Sequence, residues 1–190
     1  RDSVDYCPVR NIVFSMVPQN YVQTYYRPEQ RLKEIVAHPN DPLEEQTVRA
    51  VEAIRQVTGI APSEMGVTGS ILLGIHDASF SDIDLIVYGR ENAGKLREMM
   101  SGMEVPGTSP MDERYIEEWC QGVMEHFGLT YRQARWLISR RWNFVYFGEG
   151  RHVISLHPTR ADDEIVGRYG DHHYRDAGRA RLEATISDAK

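Results

Sequence analysis

The sequence predicts an α/β or α+β fold, and three observations carry that expectation. Helical and strand patterns are interleaved along the chain rather than segregated. The strongest strand pattern, Asp82 to Tyr88 (DIDLIVY), is stopped by Gly89 and followed at once by a helical stretch. The longest helical pattern, Leu43 to Thr58, places Val48, Val51, Ala53, Ile54 and Val57 near one face. With 190 residues, 41% hydrophobic and 26% charged, the chain can bury a core without staples, and wholesale disorder, collagen and coiled coil are excluded.

Each element has its own signal. Asn11 to Val17 (NIVFSMV) and Tyr21 to Tyr26 (YVQTYY) are rich in β-branched and aromatic residues, and Pro18-Gln19-Asn20 between them predicts a hairpin. Arg27 to His38 reads as a short helix. Asn40-Asp41-Pro42 starts the next, with Pro42 at its first position, and Gly59 ends it. Met65 to Thr68 is a short strand entering a Gly-Ser turn, with a helical turn at Ile71 to Gly74. After Gly89, Asn92 to Met100 is helical, and Gly102 to Pro110, with two Gly and two Pro, is a loop. Met111 to Phe127 is a helix broken by Gly128. Thr130 with Gln133 forms a capping box for another that ends near Arg141. Asn143 to Phe147 and His152 to His157 flank Gly148-Glu149-Gly150-Arg151 as a second hairpin. The last thirty residues are polar and predict a helix followed by a loosely held tail. The expected organisation is a single domain, 1–190. Residues 42–100 and 142–175 form its core, 101–141 a helical insertion and 1–41 an N-terminal addition.

Charge and cysteine usage narrow the class. Lys plus Arg is 22 against 28 for Asp plus Glu, a net charge of −6. A protein that tracks long nucleic-acid backbones is usually basic, so any such contact here is expected to be local. No apolar run approaches the length of a membrane span, and the first ten residues hold Arg1, Asp2, Asp5 and Arg10 with no apolar signal region. Cys7 and Cys120 are too few for a disulfide framework. These features predict a soluble, cytoplasmic protein with no membrane partner.

The chemistry-bearing stretch is Gly69-Ser70, eleven residues, then Asp82-Ile83-Asp84-Leu85. Residues two apart on a strand share a face, so Asp82 and Asp84 point the same way, with Cα atoms about 6.6 Å apart. Ile83, Leu85 and Val87 point into the core. Two carboxylates on one face call for a partner, and a divalent ion serves; hard oxygen ligands select Mg²⁺ or Mn²⁺. The Gly-Ser turn offers backbone N–H groups and a hydroxyl where a triphosphate could sit, Gly69 permitting a close approach.

GVTGSILLGIHDASFSDIDLIVYG, residues 66–89, resembles the signature of the DNA polymerase beta superfamily of nucleotidyltransferases: a Gly-Ser turn, a short spacer, and Asp-x-Asp between hydrophobic residues on a strand. It is most similar to the small archaeal and bacterial nucleotidyltransferase-domain proteins, and covers about an eighth of the chain. The resemblance implies a mixed twisted sheet with helices on one side. It implies that Gly69 and Ser70 hold the phosphates of a nucleoside triphosphate and that Asp82 and Asp84 bind Mg²⁺ or Mn²⁺. It implies transfer of a nucleoside monophosphate to an acceptor hydroxyl on RNA, a small molecule or a protein. A third carboxylate usually stands on a neighbouring strand and can act as base. The natural place, His152 to His157 (HVISLH), has none; Ser155 or His157 stands there, and His157 is the candidate base. That departure supports an alternative, a catalytically degenerate nucleotide- or RNA-binding regulatory module.

Other signals have plainer readings. His76 reads as a loop histidine, Asp77 and Ser79 as turn formers, and His172-His173 as a surface pair. Gly128-Leu129-Thr130 before YRQARWLISRR resembles the turn and second helix of a helix-turn-helix. The net acidity counts against DNA reading and leaves a solvated face as the expectation.

Overall fold

The computed structural model describes residues 4–102 and 104–185. Contacts divide the chain into two units, one made from its two ends, up to Tyr25 and from Val166, and one spanning Tyr26–Ile165.

In the first unit β1 (Val4–Cys7) pairs antiparallel with β2 (Ile12–Ser15). Asn11 takes the left-handed conformation that asparagine tolerates, φ +54°, and its N–H donates to the Cys7 carbonyl at 2.8 Å. The hairpin therefore turns at residues 8–11, not at 18–20. Residues 12–15 already have a partner, and Gln19–Tyr21 closes as a 3₁₀ turn, so 21–26 forms no strand. The helix expected in the last thirty residues is also absent among the described ones. Beyond the 3₁₀ turn Asp162–Glu164, residues 165–185 follow no regular pattern, and Gly170 and Gly178 take positive φ. Residues 186–190 of the expected tail lie outside the described residues. Tyr174 N–H donates to the Val9 carbonyl at 2.9 Å, and Cys7 Sγ lies 3.0 Å from the Tyr169 hydroxyl.

The second unit opens with α1 (Pro28–Ala37), so its core begins before residue 42: Leu32 and Ile35 are fully buried. α2 (Pro42–Thr58) starts as expected. Asp41 Oδ1 accepts from the Leu43 and Glu44 N–H groups at 2.8 and 3.0 Å, Pro42 occupies the first turn, and Gly59 ends the helix at φ +72°. There follow β3 (Met65–Val67), α3 (Gly69–Leu73), β4 (Ile83–Tyr88) and α4 (Arg90–Ser101). Within the expected loop lies the two-residue β5 (Thr108–Ser109). α5 (Glu113–Phe127), α6 (Tyr131–Ile138), β6 (Phe144–Phe147) and β7 (His152–Thr159) complete the unit. The Thr130–Gln133 capping box opens α6, which stops at Ile138, short of Arg141.

The architecture is mixed α+β. Five strands lie in the order β3-β4-β7-β6-β5; β4 and β7 run parallel and the other neighbours antiparallel. Alternation gives the sheet two unlike faces. Ile83, Leu85, Val87, Val145, Ile154 and Leu156 point to one face and are buried, with Ala50 and Ile54 of α2 and Leu96 and Met100 of α4 in the same core. Each buried Leu or Ile contributes about 1.5–3 kcal/mol. The other face is not bare, so helices stand on both sides, not one. Pro28 of α1 covers Gly66, where a Cβ would meet Pro28 Cβ at 2.6 Å, and Tyr115 of α5 packs edge-on against Tyr146, ring centroids 6.0 Å apart. Among the described residues no helix is long and apolar enough to cross a membrane.

Candidate functional site

The open middle of that second face carries the predicted residues. β3 runs into Gly69, at φ +63°, and the Thr68 N–H donates to the Asp84 carbonyl at 2.9 Å. A Cβ at residue 69 would stand 2.2 Å from Asp84 Oδ2, so the backbone of the turn lies directly against the carboxylate. Only glycine satisfies both the dihedral and the approach. Ser70 follows in the first turn of α3; among the described residues its hydroxyl makes no hydrogen bond to the carboxylates.

Register builds the rest. Asp84 on β4 pairs with Ser155 on β7, and Ser155 with Phe144 on β6. Directly paired residues share a face, so the three form one row about 10 Å long. The Ser155 hydroxyl donates to Asp84 Oδ1. Its oxygen lies 2.8 Å from His157 Nε2, which is 3.5 Å from Asp84 Oδ1. Because the single Ser155 proton goes to Asp84, His157 Nε2 must carry the hydrogen it shares with Ser155. In this arrangement His157 presents a donor to the row rather than a lone pair. Asp82 stands just before β4, exposed at the site's edge. Desolvation first, then the Asp84 charge, push its pKa above the ordinary aspartate value, and the nearby His152 opposes them. The structure thus brings Gly69, Asp84, Ser155 and His157 together, with Asp82 beside them in electrostatic range of Asp84.

Sequence reasoning missed a second polar cluster. Asp41, Glu44 and His76 present donor atoms within 4.8 Å of one another, the group of three potential metal ligands found among the described residues. His76 Nε2 lies 2.7 Å from Asp41 Oδ2. Glu44 is buried; Arg31 Nη2 donates to its Oε1, and the Asn40 N–H and Nδ2 donate to its Oε2 at 2.7 and 3.0 Å. Burial alone would raise the pKa of Asp41, but the Glu44 N–H and His76 outweigh it and lower the pKa. Arg31 Nε also donates to the Ile71 carbonyl at 3.3 Å. An ion could reach Glu44 only by displacing Arg31 or Asn40, so the cluster reads as a structural ion network. It ties the spacer between Ser70 and Asp82 to α1 and α2. The cap at Asp41 was legible from sequence; its partner 35 residues on was not.

In the segment resembling a helix-turn-helix, Arg135 is ion-paired and Arg140 and Arg141 lie over rings, while Arg132 is exposed. Arg135 donates to Glu113 at 2.6 Å, and Arg140 and Arg141 lie over the Trp136 and Phe144 rings, 4.5 and 3.6 Å from the centroids. His172 and His173 are exposed.

Comparison with known proteins adds a distant relative. Over 143 residues, 75% of this chain, the sequence is 29% identical to the uncharacterized protein MJ1086 of Methanocaldococcus jannaschii. The chain spans about two fifths of that relative's length, 41%. No family model and no solved structure matches.

Proposed function

We propose that this chain is a member of the DNA polymerase beta superfamily and a metal-dependent nucleotidyltransferase. The observation that carries the reading is the turn backbone of Gly69 pressed against Asp84, with Asp82 in electrostatic range of that carboxylate. Two hard carboxylates, one with its pKa raised by desolvation and then by the other's charge, fit a divalent cation. Mg²⁺ or Mn²⁺ held by Asp82 and Asp84 would neutralise phosphate charge and favour departure of pyrophosphate. The Gly69-Ser70 turn lets a phosphate approach the backbone. Ser155 fixes Asp84 by donating to Oδ1, and His157 adds a donor at the end of the row. In the reaction an acceptor hydroxyl oxygen bonds to the α-phosphorus, and the bond from that phosphorus to the β-phosphate oxygen breaks. Pyrophosphate leaves with the electron pair, and the hydroxyl proton passes to solvent. The acceptor class is RNA, a small molecule or a protein. The free cysteines Cys7 and Cys120 fit a cytoplasmic setting.

One observation favours a second reading. Ser155, not a carboxylate, is paired with Asp84, as suits a nucleotide- or RNA-binding regulatory module without turnover.

The first test is thermal shift with each nucleoside triphosphate and Mg²⁺ or Mn²⁺, comparing wild type with Asp82→Asn/Asp84→Asn. A ligand at 100 times its Kd stabilises by about 2.7 kcal/mol. A metal-dependent shift lost in the double variant supports the site. Pyrophosphate release with candidate acceptors then separates the transferase from the binding module. No shift with any triphosphate, in a folded wild-type protein, sinks the transferase and turns the reading to the binding module.

A further inference from the structure

The row Asp84–Ser155–Phe144 ends in a cleft that the nucleotidyl-transfer chemistry does not use. Its walls are Tyr115, Ile116 and Trp119 of α5, Ile138, Arg141 and Phe144, and its volume is about 150 Å³. Phe144 lies two strands from Asp84 on the same sheet face, about 10 Å away. Asp82 bears on Tyr115: after burial, its charge is the next cause raising the tyrosine's pKa. The cleft therefore adjoins the carboxylates.

Two features define what fits it. The walls are aromatic and aliphatic, suited to the faces of a flat ring. Arg141 supplies the polar element. Its guanidinium is 3.6 Å from the centroid of Phe144 and 5.4 Å from that of Trp119, and among the described residues no carboxylate or carbonyl accepts from it. Five donors held by stacking, half-buried and without an acceptor, call for a ligand that supplies one. Size narrows the ring: a cavity of about 150 Å³ holds one six-membered ring.

We propose that this cleft is the base-recognition site for a pyrimidine nucleotide, with the ring against Tyr115, Ile116 and Trp119 and a ring carbonyl accepting from Arg141, which itself covers Phe144. This rests on the nucleotidyltransferase reading. It places the base at one end of the row and the triphosphate at the other, against Gly69.

The test is equilibrium binding, by titration calorimetry, of CTP, UTP, ATP, GTP and inorganic tripolyphosphate with Mn²⁺. The proteins are wild type, Arg141→Lys, Arg132→Lys and Asp82→Asn/Asp84→Asn, each first shown by its melting curve to be folded. CTP and UTP are expected to bind at least tenfold tighter than ATP, GTP or tripolyphosphate. Arg141→Lys, which keeps the charge and loses the planar fork, is expected to erase that margin and leave tripolyphosphate unchanged. Arg132→Lys makes the same change at an exposed arginine of α6 outside the cleft and is expected to bind like wild type. Equal affinity for all four nucleotides, a purine preference, or no effect of Arg141→Lys overturns the base site alone, provided tripolyphosphate still binds and depends on Asp82 and Asp84. If tripolyphosphate does not bind either, the nucleotidyltransferase reading falls with it.

Discussion

Gly69→Ala isolates the contact on which the site depends. The new methyl would sit 2.2 Å from Asp84 Oδ2, whereas ordinary contact begins at 3.4 Å, so about 1.2 Å (3.4 − 2.2) must be made up. Asp84 cannot yield freely, because Ser155 holds its other oxygen. The backbone at φ +63° adds about 1–2 kcal/mol of strain for any residue with a Cβ. Breaking the Ser155 bond to a charged carboxylate costs about 1–3 kcal/mol more. Gly59→Ala is the control: Gly59 has φ +72° and nothing within 4 Å of a Cβ, so it carries the backbone cost alone. Urea unfolding should show Gly69→Ala less stable than Gly59→Ala by about 1–3 kcal/mol, with both m-values near wild type. Thermal shift with Mn²⁺ and a triphosphate should survive in Gly59→Ala and vanish in Gly69→Ala. Equal stability losses with equal ligand shifts would refute the packing of the turn on Asp84.

Asp82→Asn should show opposite signs without and with ligand. The folded-state pKa of Asp82 is raised, so its ionised form destabilises the fold, an effect absent below the unfolded value of 3.8 and present as pH rises through the folded one. Melting at pH 7 without metal should therefore find Asp82→Asn equal to or slightly above wild type, by about 0.5 kcal/mol at most for so exposed a group, and below it once Mn²⁺ and nucleotide are added. Asp41 has the reverse sign: its lowered pKa stabilises above 3.8 and is lost as pH falls through the folded value. Asp41→Ala should cost about 1–2 kcal/mol at pH 7, a deficit that narrows in acid melts. Arg31→Ala strands the buried Glu44 carboxylate and should cost about 3 kcal/mol or more in urea unfolding. A loss under 1 kcal/mol would show the network to be dispensable.

What was legible in the sequence was local. Asp41-Pro42, Gly59, the Thr130–Gln133 box and the alternation of Ile83, Leu85 and Val87 each announce themselves within a few residues, because caps and periodicity are short-range physics. Gly69 and the two aspartates were legible as a spacing. The N-terminal hairpin was misplaced because Ile12–Ser15 could pair with either flank, and the αL turn at Asn11 decides between them. The His76–Asp41 pair and the cleft of Tyr115, Arg141 and Phe144 left no local mark. His76 lies 35 positions from Asp41, and Arg141 and Phe144 lie 26 and 29 from Tyr115; the types are ordinary singly, and register alone brings Phe144 into line with Asp84.

That register also sets a timetable. The parallel pairing among the described residues, β4 against β7, joins Asp84 to Ser155 across 71 residues. Parallel, non-local pairings close slowly, because the loop entropy must be lost before any contact repays it. A chain emerging from the ribosome can complete β3, α3 and β4 early, yet Asp84 has no hydroxyl to hold it until β7 arrives. The fixed position of Asp84 is therefore a property of the finished unit. A nascent or nicked chain lacking residues 152–159 would carry the signature stretch intact and still hold no preorganised site.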